Sequence, residues 1–343
     1  MLSLHMPQMY IDVNLESDSP SDVISLSKSA EDFGFDCIWV SETKRDPFIY
    51  LSLIANNTSN ITLGTSIALA FTRSPMDLAY SAWDLQKLSK GRFILGLGSQ
   101  VKGHIERRYS MTWSEPILRM REVINSIRSI WSCWQNGDKL DFNGKLFSFN
   151  LMPPFFNPGP ISHPNIPIFL AAVNTNMCKL AGELADGILV HPLHTSKYLE
   201  DIMVPSIMAG ANIAGRSRSD FQIDIPVFAA IGTPDEIELE KQLIRYQIAF
   251  YSSTRTYSPI FKLHGWNDVV TKLHEKSLKG DWGNMPDLIS DDILSHFIIE
   301  GSWDDLPTLL RKRYSHIADR VHVSLPFNSQ NVWKNTIINF KNQ

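Results

Sequence analysis

The 343-residue sequence has little cysteine, little net charge and no long apolar run, and each shortage removes a class of protein. Its three cysteines, Cys37, Cys133 and Cys178, stand far apart without a Cys-x-x-Cys pair, so neither a thiolate zinc site nor a disulfide framework is expected. Unpaired thiols fit a reducing compartment. A net charge of −4 provides no electrostatic footprint for nucleic acid or for a membrane surface. The longest apolar stretch, Ile61 to Phe71, is interrupted by Thr, Gly and Ser and falls far short of a membrane span. Met1 to Pro7 holds no cationic stretch leading into an apolar run, so no signal peptide is read and a cytoplasmic, soluble chain is expected. Catalytic signatures are missing as well: there is no Gly-x-Ser-x-Gly elbow and no His-Glu-x-x-His pair. The ten histidines are scattered, and acids at strand ends are too few for a cage of hard oxygen ligands, so no metal is expected.

What is present is a rhythm. Short runs rich in β-branched residues alternate with longer segments of helical period. Strands are expected at Tyr10 to Leu15, Asp36 to Val40, Ile61 to Ile67, Arg92 to Gly98, Pro167 to Ala172, Gly187 to His191, Phe221 to Ile231 and Arg320 to Leu325. Helices are expected between them, the first from Asp22 to Phe33 stopped by Gly34, another opened by Ser74-Pro75. Repeated strand-then-helix order predicts a parallel sheet with helical crossovers, and eight such units favour a closed (β/α)8 barrel, one α/β domain over residues 1–343. Two stretches break the rhythm, at about 99–166 and 254–292. They are read as excursions over the C-terminal face, with surface decoration as the other reading.

In such a barrel, function sits where the strands end. Those ends carry mostly small or neutral residues. Gly96 and Gly98 share one face of their strand, because side chains alternate. Two readings stand: a slot where a flat ligand meets bare backbone, or a bend in the strand. Asn174 precedes a helix whose free N–H groups could meet a phosphate, or it is an ordinary cap. Between Lys102 and Arg121 lie five basic residues against Glu106 and Glu115. His104, Arg107 and Arg108 would share one face of a helical turn. That face suits an anionic substrate group, with Trp113 beside it, or is a solvated surface paired with Glu106. Glu42 and His191 are the ionisable candidates for moving a proton, each also readable as a satisfied structural group. A mouth with neither nucleophile nor metal set points to a bound cofactor as the carrier of the difficult chemistry.

The block from Leu63 to Trp113 (LGTSIALAFTRSPMDLAYSAWDLQKLSKGRFILGLGSQVKGHIERRYSMTW), together with Ser41-Glu42 and Asp46-Pro47-Phe48, resembles the luciferase-like monooxygenase superfamily. More narrowly, it is similar to oxidoreductases dependent on coenzyme F420, a deazaflavin. The likeness continues through Met152 to Pro160, Leu184 to Pro192, Gln247 to Thr254 and Leu263 to Trp266. It implies a (β/α)8 barrel of the bacterial-luciferase kind with a cofactor ring across the strand ends, coenzyme F420 or alternatively FMN. By position, that cofactor would meet Glu42, Ser66, Ile67, Gly98, Ser99, Ala172, Val173, Asn174 and His191. The resemblance also implies a non-prolyl cis peptide at Ser66–Ile67, a small organic substrate and a homodimer. Deazaflavin-dependent sugar-phosphate dehydrogenases of this kind carry a histidine directly after the strand-two acid. This chain has Thr43 there, so that activity is not expected.

Overall fold

The computed structural model describes residues 9–343; the Met1 to Pro7 stretch read above lies outside them. Eight strands are buried on both faces, which is why they read as nearly continuous apolar runs. They are β1 (Tyr10–Ile11 and Val13–Asn14, two pieces either side of Asp12), β2 (Cys37–Val40), β3 (Thr62–Thr65), β4 (Phe93–Gly98), β5 (Ile168–Ala172), β6 (Gly187–Val190), β7 (Gln222–Ile231) and β8 (Arg320–Val323). Each pairs in parallel with the next in sequence. β1 closes the ring by pairing with β8 through Tyr10↔Arg320 and Ile11↔Val321. The fold is therefore a (β/α)8 barrel.

Local chemistry sets the helices. Ser19 caps Pro20–Phe33, and Gly34, at φ 89°, ends it in the left-handed region that favours glycine. Asp46 and Ser74 cap Pro47–Asn57 and Pro75–Leu88, each with proline in the first turn. Alternation then divides the core in two. Outward side chains pack under the helices, whereas Cys37, Trp39, Ile94, Phe169 and Leu189 form a separate apolar cluster inside the barrel.

The irregular stretches carry structure of their own, including the helix and hairpin that the sequence suggests at about 116–134 and 141–149. The first carries helices Lys102–Arg107 and Pro116–Asn136 and an antiparallel hairpin, Phe142–Asn143 with Ser148–Phe149. The second contains helices Ser258–Leu263 and Asn267–Leu278. A short strand, Ile298–Gly301, extends the sheet beside the end of β7, and a last helix, Asn331–Lys341, packs on the first. None of the described helices is long and apolar enough to cross a membrane.

Candidate active site

The mouth of the barrel is built from the loop after β2 inward. Oε2 of Glu42 accepts from the Leu69 backbone N–H at 2.8 Å and from Nη1 of Arg73 at 2.6 Å. Nη2 of Arg73 reaches Asp46 at 2.9 Å. Burial opposes the Arg73 charge, but the two carboxylates outweigh it and its pKa rises. Glu42 thus ties the segment after β3 to the end of β2. Backbone bonds reinforce the tie: Ser66 donates to the Val40 carbonyl at 2.9 Å and Glu42 to the Ile67 carbonyl at 3.3 Å. The Ser66–Ile67 peptide is cis.

Gly96 and Gly98 do face inward, but neither opens onto empty space. A Cβ on Gly96 would lie 1.8 Å from the Thr65 carbonyl oxygen, and one on Gly98 would lie 1.9 Å from Cδ1 of Ile67. The Thr65 hydroxyl locks the approach, donating to the Gly96 carbonyl at 2.6 Å and accepting its N–H at 2.8 Å. The glycines therefore receive the end of β3, which corrects the expectation of a ligand lying directly on them. The groups left at the mouth there are Ser66, Ile67 and Ser99, all half-buried.

On β5 the alternation separates two neighbours. Ala171 packs with the inner cluster, while Ala172 belongs to the layer beneath the helices, so the Ala172 side chain does not face the mouth. Tyr198 donates its hydroxyl to the Val173 carbonyl at 3.2 Å. Asn174 occupies the cap position of helix Thr175–Leu184 without a side-chain cap bond, so the ordinary capping role is not what its half-buried side chain performs.

His191, just past β6, is held in one tautomer. Its Nδ1 accepts from the Leu193 N–H at 3.0 Å, which leaves the ring proton on Nε2. The rings of Tyr257 and Tyr251 enclose it, with centroids at 4.6 and 4.8 Å. Burial, with His194 nearby, pushes the His191 pKa down to about 3. His194 itself sits between the His191 carbonyl at 3.0 Å and the Tyr314 hydroxyl at 3.3 Å, and burial pushes it down to about 4. Burial also raises both tyrosines. At neutral pH this corner is uncharged.

Beneath the mouth, β1, β7 and β8 contribute a polar floor that sequence reading missed. Asp12 accepts from Nε and Nη2 of Arg320 at 2.7 and 2.8 Å and from the Trp39 indole at 2.9 Å. Burial raises the Asp12 pKa to about 6 despite Arg320. His322 lies 3.2 Å from Oδ1 of Asp224; burial would lower its pKa, but that carboxylate raises it. Oδ2 of Asp224 has no hydrogen-bond partner among the described residues. Asn14 and Glu16, at the end of β1, were missed as well; Nδ2 of Asn14 donates to Glu16 at 3.3 Å. The residues of β1 read simply as strand.

The basic segment is dispersed. Arg108 donates to the Thr43 carbonyl at 2.8 Å and lies over Tyr109, which places it near Glu42. Arg107 folds back over Gly103, and Glu106 pairs with Lys102 at 3.7 Å rather than with either arginine. Trp113 is half-buried against Phe71 at 5.6 Å. A cleft of about 190 Å³ lies at the ends of β1 and β2, between Glu16, Ser41, Thr43 and Tyr50. A wider groove of about 840 Å³ opens at the opposite end of the barrel, beside Pro167 and Asp186. Its arginines are already engaged, Arg128 with Asp186 and Arg216 with backbone carbonyls. Barrel chemistry belongs to the other end. Among the described residues, no three His, Cys, Asp or Glu converge on a point where a metal ion could sit.

Residues 3–320 match the model of the luciferase-like monooxygenase family. The uncharacterized protein Rv1360 of Mycobacterium tuberculosis is 42% identical over 90% of this chain and 92% of its own. A 5,10-methylenetetrahydromethanopterin reductase of Archaeoglobus fulgidus is 30% identical over 81% and 82%. In fold, the chain is similar to the coenzyme F420 dependent tetrahydromethanopterin reductase of Methanopyrus kandleri, with a TM-score of 0.79 and 24% identity over 96% and 97% of the two chains. EDTA monooxygenase from Chelativorans sp. BNC1 matches with a TM-score of 0.73 and 15% identity, over 98% and 93%.

Proposed function

The chain belongs to the luciferase-like monooxygenase family, and from that premise we propose a cytoplasmic oxidoreductase that uses coenzyme F420 for hydride transfer to or from a small organic substrate. The observation that carries the reading is the corner at His191, a buried imidazole held in one tautomer and enclosed by Tyr251 and Tyr257, with no three His, Cys, Asp or Glu converging on a point among the described residues. Residues of this kind position a redox cofactor rather than react themselves. The coenzyme F420 dependent reductase of Methanopyrus kandleri supports the deazaflavin, and three buried, unpaired cysteines support the compartment.

The donor set fits a flat heterocycle: Ser66 and Ser99 are small and uncharged, Ile67 is apolar, and Asn174 has an uncommitted amide. These residues, with the Val173 backbone, would hold the ring and its tail. A bound deazaflavin supplies the hydride-transfer chemistry. His191 offers Nε2–H as a fixed donor and takes up no proton near neutrality. Glu42 is a positioning residue in this reading, since its Oε2 is engaged by Arg73 and the Leu69 N–H. Arg107 and Arg108 would meet an anionic part of the substrate, with Trp113 at the rim, while Tyr251 and Tyr257 exclude water from His191.

EDTA monooxygenase favours a second reading as a monooxygenase, in which this chain would act with reduced FMN and oxygen on an apolar substrate. Fluorescence titration of the purified protein with F420 and with FMN, each oxidised and reduced, separates the two. We expect micromolar F420 binding, weaker FMN binding and anaerobic oxidation of reduced F420 by an added acceptor. Binding of FMN alone with turnover strictly dependent on oxygen would establish the second reading. Failure to bind either cofactor would remove both.

A further inference from the structure

Two buried acid–base pairs stand in the floor beneath the mouth, and only one of them is closed. Both oxygens of Asp12 are taken, by Nε and Nη2 of Arg320 and by the Trp39 indole. Asp224 is held by a single side-chain bond, Oδ1 to Nδ1 of His322 at 3.2 Å. Its Oδ2 has no partner among the described residues, although the residue is fully buried. A pair built only for stability would satisfy both oxygens, as Asp12 does, so the orphan demands a reason. An ionised carboxylate only accepts, so Nδ1 of His322 carries a proton and Nε2 is the atom free to gain or lose one. Nε2 has no partner among the described residues either. Yet it is not one of the polar atoms sealed from solvent without a partner, which are Asp224 Oδ2, Ser252 Oγ and Arg311 Nε. It therefore opens on space that water reaches.

His322 is the last inward side chain of β8, which ends one residue later. One inward step nearer the mouth, roughly 7 Å higher, come Ser324 and, beside it on β1, Asn14, both polar and half-buried. Ser41 donates to the Asn14 side chain at 3.4 Å, which carries the polar line to the end of β2. We propose that His322 and Asp224 form the proton relay of the site, passing protons between the floor and the mouth. The proposal rests on the hydride-transfer reading above and assigns it a carbonyl–alcohol pair as substrate class. Hydride addition to a carbonyl carbon moves the C=O π pair onto oxygen, which takes a proton to become a hydroxyl; hydride loss from the alcohol carbon returns that proton. Neither His191 nor Glu42 is free for this, one being fixed as a donor and the other held by Arg73. The His322 imidazolium gives its Nε2 proton through water and is recharged from solvent, and in reverse the neutral ring takes it up. Burial lowers the His322 pKa, but the carboxylates of Asp224 and Asp12 more than restore it. The other groups around the pair are Arg320, whose charge is spent on Asp12, and Cys37, whose thiol is kept protonated by burial.

The first arm of the test needs no cofactor: nitrogen NMR of the imidazoles in the full labelled chain, with His322→Gln identifying the signal. His322 should titrate reversibly in the folded protein with a midpoint above 6.5, while His191 and His194 stay neutral. Asp224→Asn should bring that midpoint below 6.5, because burial then acts without the nearest carboxylate. The second arm follows oxidation of reduced F420 by acetaldehyde, acetone and benzaldehyde. Turnover should slow as pH rises through the His322 midpoint. That limb should move to lower pH in Asp224→Asn and persist in His191→Gln. His322→Gln should lose the limb and lower turnover on the order of a hundredfold, with F420 affinity and circular dichroism unchanged. If His322→Gln does not fold, the displaced limb of Asp224→Asn, which keeps the shape of the pair, decides. A His322 ring that does not titrate between about pH 5 and 9 overturns the proposal. So does a wild-type pH profile in His322→Gln, or bound F420 that no carbonyl oxidises. Failure to bind F420 instead removes the proposed function, and the titration alone then judges the pair.

Discussion

At His191 the two ring nitrogens do different work, and substitutions can tell them apart. Nδ1 accepts the Leu193 N–H and fixes the tautomer; Nε2 keeps the proton and can only donate. His191→Gln places an amide donor close to the Nε2 position, whereas His191→Phe removes it at similar volume. A lost donor to a bound polar group costs about 1–3 kcal/mol, so the phenylalanine variant should bind F420 roughly tenfold or more weakly, with glutamine near wild type, as read by equilibrium titration. With its pKa pushed down to about 3, His191 should also add no step to the rate between pH 5 and 8. A step near 6.5 that disappears in the glutamine variant would show a proton carrier there. Glu42 answers to a different measurement. Its pair with Arg73 is mostly buried, so Glu42→Gln should lower stability by about 1–3 kcal/mol, seen as a fall of a few degrees in the melting temperature.

Among the elements, β3 and β4 bind each other at two glycines that differ in what opposes them. At Gly96 the obstacle is backbone, the Thr65 carbonyl, which cannot swing aside; at Gly98 it is the far end of the Ile67 side chain. Gly96→Ala should therefore force the strands apart and cost stability beyond the 1–3 kcal/mol typical of overpacking. Gly98→Ala should fold nearly normally, but push Ile67 into the mouth and weaken cofactor binding. Paired melting curves and titrations check both, and equal losses of stability would refute the distinction. The Gly-Leu-Gly pattern announced two inward glycines; it did not reveal that a neighbouring strand fills the space. The same boundary runs through the rest of the chain. All eight barrel strands were legible, because doubly buried strands are apolar runs bounded by turn residues. Asn267–Leu278 was not, since its apolar face is short, Val269, Val270 and Leu273, and it stands outside the strand-then-helix rhythm. Nor were the partners Glu42–Arg73, Asp224–His322 and Asp12–Arg320, separated by 31, 98 and 308 residues, since barrel closure rather than local period brings them together.

For the molecule as a whole, the same burial that keeps the site neutral makes the fold sensitive to acid. His194 and His191 hold folded pKa values of about 4 and about 3 against an ordinary value of 6.5. A histidine with a depressed folded pKa binds its proton only once the chain unfolds, so its stability contribution is intact above about 6.5 and drains as pH falls toward the folded value. Asp12 works in the opposite direction: raised to about 6, it takes up a proton in the fold before the unfolded chain would, which returns part of the loss below that pH. The two histidines outweigh one aspartate, so stability should fall by a few kcal/mol between pH 6.5 and 4. His194 isolates the effect, being fully buried between the His191 carbonyl and the Tyr314 hydroxyl, with Arg313 adding to the depression of its pKa. His194→Gln can keep both hydrogen bonds and has nothing to protonate. Urea unfolding at pH 7 and pH 5 should show the variant losing about 2 kcal/mol less than wild type between the two, the difference expected for one histidine displaced from 6.5 to about 4. Parallel losses in the two proteins would mean that His194 is protonated within the fold, and that the corner beside His191 is wetter than its packing implies.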